Sequence, residues 1–238
     1  MTLKTFLIGM FASFALAWIC IIAIPVASMG NLAPVKMNDD DDAPLYQHGV
    51  SGRILNGAEI YQSNGCYTCH TQLIRPTYAG QQIWRKGAAG IVNDDGDSRR
   101  ETDIHDYDGE KYANIGIMRI GPDLSNFAYR AETYASQVNL TPEQWIFEHL
   151  FNPRNNDIRR GDGGEKLEMN WSVCPSQRAM FEPASSNGQV GTFVVLQDDS
   201  DAFVPKEEAR VLASYLLSLK RDDALPASLN HGPQEEEE

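Results

Sequence analysis

The sequence predicts a mostly α-helical protein: a single N-terminal transmembrane helix, then one helical domain with long loop insertions. Three observations predict it. No charged residue occurs between Thr5 and Val35, three later segments carry helix-start signals or one-sided apolar spacing, and the stretches between them have little strand patterning. The chain divides into an anchor at residues 1–30, an acidic linker at 31–50, a domain at 51–221 and an acidic tail at 222–238.

In the anchor, Phe6 to Ile24 is almost unbroken apolar sequence. At about 1.5 Å per residue it reaches about 28 Å, close to the hydrocarbon thickness of a bilayer. A cleaved signal peptide has a shorter apolar core and a small-residue cleavage site, and Pro25-Val26-Ala27-Ser28 matches such a site loosely. The reading is a retained anchor. Lys4 is the only charge before it, so the positive-inside bias points the N-terminus to the cytoplasm and the rest of the chain to the periplasm.

The linker carries Asp39-Asp40-Asp41-Asp42, and the tail ends in Glu235-Glu236-Glu237-Glu238. With 20 basic and 33 acidic residues the net charge is −13, which argues against nucleic acid or an anionic lipid surface as partner. The first helix of the domain is predicted from Gly52 to Gln62, with Ser51 as N-cap and Ile54, Ala58 and Tyr61 on one face. The second starts at Thr141-Pro142-Glu143-Gln144, a capping box with proline at the first helical position, and stops at Asn152-Pro153. The third opens at Pro205, carries Val211, Leu212, Tyr215, Leu216 and Leu219 as its stripe, and reaches Lys220 and Arg221. The stretch from Trp84 to Ala113 reads as surface loop, and Gly191 to Leu196 is the one strand-like run.

Chemistry concentrates in Cys66-Tyr67-Thr68-Cys69-His70. Cys-x-x-Cys-His is the attachment signature of a c-type haem: two thiols reach the two vinyl groups of one porphyrin, and the histidine lies under the iron. A redox dithiol would need a thioredoxin-like βαβ context. A zinc site would need a second ligand pair, whereas Cys20 and Cys174 are distant and isolated. One covalent haem c is therefore expected, on Cys66, Cys69 and His70. Cys174 is left as a lone thiol, expected to be buried. A helix before the motif and an amphipathic helix at the end are the frame of a class I-like cytochrome c domain.

The residues around the motif also carry a resemblance. Gly65-Cys66-Tyr67-Thr68-Cys69-His70-Thr71-Gln72-Leu73-Ile74-Arg75-Pro76 closely resembles subunit II of the cbb-type cytochrome c oxidases, the mono-haem membrane-anchored subunit of the C-family haem–copper oxidases. Tyr107-Asp108, Arg119-Ile120-Gly121-Pro122-Asp123-Leu124, His149-Leu150-Phe151-Asn152-Pro153-Arg154 and Ala213 to Leu219 follow in that family's order. The resemblance implies a periplasmic haem domain on the inner membrane of a bacterium. It takes electrons from a donor cytochrome and relays them to the catalytic haem–copper subunit, beside the other cytochrome c subunits of the complex. It implies that the Pro122 carbonyl accepts a hydrogen bond from the far ring nitrogen of His70. Arg75 and Arg119 are candidates to pair with haem propionates.

For the sixth iron ligand the chain departs from the family. The family has Met-Pro shortly after Asn-Pro-Arg; here the first methionine is Met169, with no proline after it, beyond the insertion Arg159 to Gly164. Met169 is the candidate by order, with Met180, Met118 and a bis-histidine arrangement through His149 as rivals. The other functional readings are the cytochrome subunit of a nitric oxide reductase, a free-standing anchored electron shuttle, and a peroxidase-like haem enzyme.

Overall fold

In the computed structural model of the 238-residue chain, residues 2–30, 32–47, 49–154, 171–184, 196–198 and 201–229 are described. Helix α1 (Leu3–Trp18) passes through one π-helical turn at Ile19–Ala23 into α2 (Ile24–Met29). Together they form one apolar helix, Leu3–Met29, with mean hydropathy 2.5, long and apolar enough to cross a membrane. Thr2 caps its start by accepting from the Thr5 amide. The π turn directly precedes Pro25, which has no amide hydrogen to give to the helix ladder.

The remaining helices are α3 (Gly52–Ser63), α4 (Phe127–Gln137), α5 (Pro142–Phe151) and α6 (Glu207–Leu217). Ser51 caps α3 by accepting from the Ile54 amide, and Thr141 with Gln144 forms a reciprocal capping box on α5. Helix α6 begins two residues later than the predicted Pro205. That proline ends strand β5 (Asp201–Pro205), Lys206 takes the N-cap position, and Glu207 and Glu208 fill the first turn. Pro183 and Glu182 of β3 (Phe181–Pro183) lie opposite Phe203 and Val204 of β5, and β4 (Leu196–Asp198) pairs on its other edge, giving the order β3-β5-β4. Most of the predicted strand, residues 191–195, lies outside the described residues.

The core is where α3 to α6 meet: Tyr61, Phe127, Ala131, Trp145, Phe147, Leu150, Leu212, Tyr215 and Leu216 form one cluster with Met180 and Phe181. Gly57 lets α3 and α6 touch. A Cβ there would stand 2.4 Å from Tyr215 Cβ and 2.6 Å from the Val211 carbonyl oxygen. The adjoining Tyr61 and Tyr215 rings pack with centroids 5.7 Å apart.

Two regions differ from the expectation of linker and solvated loop. Within residues 31–50, Lys36 and Leu45 form an antiparallel bridge and Tyr46 is buried. Its hydroxyl donates to Asp106 at 2.7 Å and accepts from Arg100 at 2.6 Å, while Arg100 also pairs with Asp106. The long loop holds a two-residue hairpin, β1 (Val92–Asn93) with β2 (Gly96–Asp97), and a 3-10 turn at Ile104–Tyr107. It is not all surface, because Ala88, Ala89, His105 and Asp106 are buried. A charged residue deep in a protein needs a partner, and Arg100 and Tyr46 supply Asp106 with both.

Candidate haem site

The motif follows α3 at once. Cys66–Thr68 form a single 3-10 turn, and the amides of Cys69 and His70 both donate back to the Cys66 carbonyl, at 3.2 and 3.0 Å. The turn holds both thiols and the imidazole at one end of the helix. Tyr61, one helical turn earlier, donates its hydroxyl to the His70 carbonyl at 3.3 Å.

A second segment, residues 114–124, is laid along the motif. Gln72 N donates to Ile115 O (3.1 Å), Ile117 N to Tyr67 O (3.0 Å), Gly121 N to Cys69 O (2.9 Å) and Leu124 N to Thr71 O (2.7 Å). This brings Gly121-Pro122-Asp123 against the His70 ring. His70 Nδ1 lies 2.8 Å from the Pro122 carbonyl oxygen. A carbonyl only accepts, so Nδ1 carries the proton, and burial pushes the imidazole's pKa below its ordinary value. The neutral ring with Nδ1–H leaves its lone pair on Nε2, the form that binds a metal. Gly121 is required by contact: a Cβ there would stand 2.2 Å from His70 Cε1 and 2.6 Å from Nδ1.

Asp123 fastens the two segments. Its Oδ2 accepts from Thr71 Oγ1 (2.6 Å) and Leu73 N (2.8 Å), and its Oδ1 from Ser125 N (2.8 Å). Arg130 of α4, buried, donates to the Asp123 and Gly87 carbonyls. Gln72, fully buried, donates to the Tyr215 hydroxyl of α6 at 2.8 Å, and Asn114 donates to the same hydroxyl at 3.0 Å.

The two candidate arginines are placed differently. The Arg119 guanidinium donates to Thr71 Oγ1 at 2.7 Å and to the Leu73 carbonyl, with Asp123 3.5 Å away, so it is taken up inside the motif's extension. Arg75 is exposed, and its positive charge repels that of Arg119. Met169 lies outside the described residues. Met180 is buried in the core cluster and Met118 is exposed. His149, in the last turn of α5, stacks on Trp145 with centroids 5.4 Å apart. Its pKa is pushed down to about 4, by burial first and then by the nearby His70.

Sequence spacing gave no sign of two further features. Burial raises the Cys66 thiol to about 11, and the charge of Cys174, far away in the chain, adds to the rise. The raised value is opposite to the depressed one of a dithiol oxidoreductase. His149 Nδ1 and Arg130 Nε are buried without a hydrogen-bond partner among the described residues. Such orphans in a folded protein call for a group that satisfies them. Two thiols, a histidine with its lone pair set on Nε2 and these buried unpartnered nitrogens together suit a haem.

The family described as cytochrome C oxidase, mono-heme subunit/FixO matches residues 10–158, more than half of the chain. The match starts inside the apolar helix and ends just after Asn152-Pro153-Arg154. No curated protein matches the sequence. The chain belongs to the family of mono-haem subunits of cbb-type cytochrome c oxidases.

Proposed function

We propose that this chain is a membrane-anchored cytochrome c that relays electrons from a donor cytochrome to the catalytic haem–copper subunit of a bacterial terminal oxidase. The observation that carries the reading is the preset histidine: His70 beside two free thiols, with Nδ1 on Pro122 and Nε2 left to bind. Cys66 and Cys69 would hold one haem c by thioether bonds, His70 would be the proximal ligand, and Met169 would be the sixth. When bound, the haem supplies a one-electron ferric–ferrous couple. Pro122 fixes the tautomer and raises the basicity of His70, and Gly121 gives the ring room. Arg119 holds the Thr71–Leu73 stretch in place, and Arg75 is the arginine proposed to meet a propionate.

The crossing of α3 and α6 at Gly57 and Tyr215 supports a class I-like cytochrome c domain, taken as residues 51–221. The family match begins within the apolar helix, which favours a retained anchor over a cleaved leader and so a single-pass inner-membrane protein with its domain in the periplasm. The same match disfavours the nitric oxide reductase reading.

Haem staining on a denaturing gel, combined with detergent purification, tests the proposal. The parent and Cys174→Ala should stain, Cys66→Ala with Cys69→Ala should not, and the parent should bring down a subunit carrying b-type haems and copper. A parent that does not stain, or that brings down a non-haem-iron partner, overturns it.

A further inference from the structure

The stretch between the apolar helix and the haem domain is folded back on itself. Its two halves run antiparallel: Tyr46 N donates to Val35 O (2.8 Å), Met37 N donates to Pro44 O (2.9 Å), and Lys36 stands opposite Leu45. The turn that joins them carries Asp39 to Asp42, and the Lys36 ammonium donates to the carbonyls of Asp40 (3.3 Å) and Asp41 (2.7 Å). In an open linker four successive aspartates repel one another and stretch the chain. Here a cation held at the turn offsets that repulsion.

The closed hairpin is also fastened to the domain. Tyr46 is 3% exposed, and its hydroxyl donates to Asp106 at 2.7 Å and accepts from Arg100 at 2.6 Å. The socket that receives it is built by other residues. Arg100 donates to both oxygens of Asp106 (2.7 and 2.6 Å) and to the Asp223 carbonyl (2.7 Å), and Asp106 also accepts from the Asp103 amide at 2.8 Å. Withdrawing the phenol would leave a buried carboxylate one partner short, which is costly.

Closure between Val35 and Tyr46 changes the length of the tether. The apolar helix ends at Met29, with Gly30 as its cap. From Gly30 to Val35 is five residues, at most about 18 Å fully extended. From Gly30 to Ser51, the cap of α3, is 21 residues, at most about 75 Å. We infer that residues Val35–Tyr46 form a strap that shortens the tether and keeps the haem domain close to the membrane surface, with Tyr46 as its peg. The inference rests on the proposed retained anchor. It also serves the proposed relay, because a tether about fourfold longer lowers the effective concentration of what it carries about eightfold at a site in the same membrane.

The test uses the full-length chain with its haem in lipid vesicles, and reads how strongly the haem quenches a fluorophore carried on lipid headgroups. Two insertions of about sixteen Gly and Ser residues, a flexible coil, are compared. One follows Leu32, between helix and strap, and the other follows Asp40, in the turn of the strap. The first lengthens the tether and should weaken quenching. The second only enlarges the turn and should match the parent. With Tyr46→Ala added, the second insertion should weaken quenching as the first does. Two insertions that weaken quenching equally on their own would show that the strap is open, and two that leave it unchanged would show that the tether does not set the height; either result overturns the inference. A second insertion that stays silent with Tyr46→Ala removes Tyr46 from the role of peg, and the insertion pair alone decides the matter if that variant does not fold. A parent that washes off the vesicles would instead be a failure of the anchor, and a parent without haem a failure of the haem assignment.

Discussion

Gly121→Ala isolates the contact between the Gly-Pro-Asp turn and His70, the proposed proximal ligand. The φ of Gly121 lies outside the left-handed region that favours glycine, so alanine strains no backbone there and the effect is steric alone. The added Cβ would sit 2.2 Å from Cε1, 2.6 Å from Nδ1 and 2.8 Å from Nε2 of His70. Ordinary contact begins near 3.4 Å, so the ring or the turn must give way by about 1.2 Å, the difference between 3.4 and 2.2 Å. A withdrawal of that size breaks the 2.8 Å hydrogen bond to Pro122 and exceeds the tolerance of an iron–nitrogen bond of about 2 Å. Losing the orienting partner of a metal-bound histidine costs roughly 10–100-fold in affinity, and the part of that loss that falls unequally on ferric and ferrous iron moves the potential, by roughly 59 mV for each factor of ten. Haem staining should persist, because Cys66 and Cys69 are untouched. The optical spectrum should gain a high-spin component, ferrous haem should bind carbon monoxide, and the potential should move by tens of millivolts. Gly52→Ala, where the new Cβ meets nothing within 4 Å, should leave the spectrum and potential unchanged. If Gly121→Ala kept the parental spectrum and potential, the ring would not be seated against this turn.

Three further outcomes follow from the geometry. Tyr46→Phe removes a hydrogen bond to the buried Asp106 carboxylate and should cost about 2 kcal/mol, lowering Tm by about 4–8 °C; a soluble fragment beginning at Ser51 should melt lower than one beginning at Leu32 for the same reason. Met169→His should lower the potential while the haem stays low-spin, and Met169→Leu should open the iron to carbon monoxide; Met180→Leu, a near-isosteric change in the core, should do neither, and loss of the far-red sulfur–iron band in Met180→Leu would make Met180 the ligand. His149, with its pKa at about 4 in the folded chain and about 6.5 unfolded, takes up a proton on unfolding between those values, so stability should fall as pH drops through that window, by up to about 1.4 kcal/mol per pH unit; His149→Phe should flatten the curve, and an unchanged acid titration would show that the ring is not held neutral.

The helices that were legible carry their signals within a few residues. Ser51 and Thr141-Pro142-Glu143-Gln144 satisfy amide donors at the starts of their own helices, so the chemistry that starts α3 and α5 is local. Helix α4 has no such mark. Asn126 makes no capping bond because its side chain reaches Ala88 and Arg221, and Arg130 interrupts the apolar face where it is buried. The predicted start of α6 fell in a strand because proline suits a strand end as well as a first helical turn, and the pairing partner that decides between them is about 20 residues away. Tyr46 sits in a stretch that the sequence marks as linker for the same reason: its partners, Asp106 and Arg100, lie far along the chain.

The haem motif itself was legible because two thiols and a histidine must be neighbours in sequence to reach one porphyrin. The groups that condition it need only be neighbours in space. Tyr61 on the His70 carbonyl, Gly121 and Pro122 on its ring, and Gln72 on Tyr215 come from separate parts of the chain. The distribution has a mechanical consequence. The motif is a single 3-10 turn with no regular structure of its own after it, so the orientation of His70 is set by whichever remote elements touch it. Tyr215 acts on the motif through Gln72, two residues beyond the histidine, whereas Gly121 and Pro122 act on the ring directly. Damage at Tyr215 should therefore appear first as lost stability, and damage at Gly121 first as an altered potential. On the proposed relay function that separation is useful, because the potential would rest on a few contacts at one turn while the helices around it carry the stability of the fold.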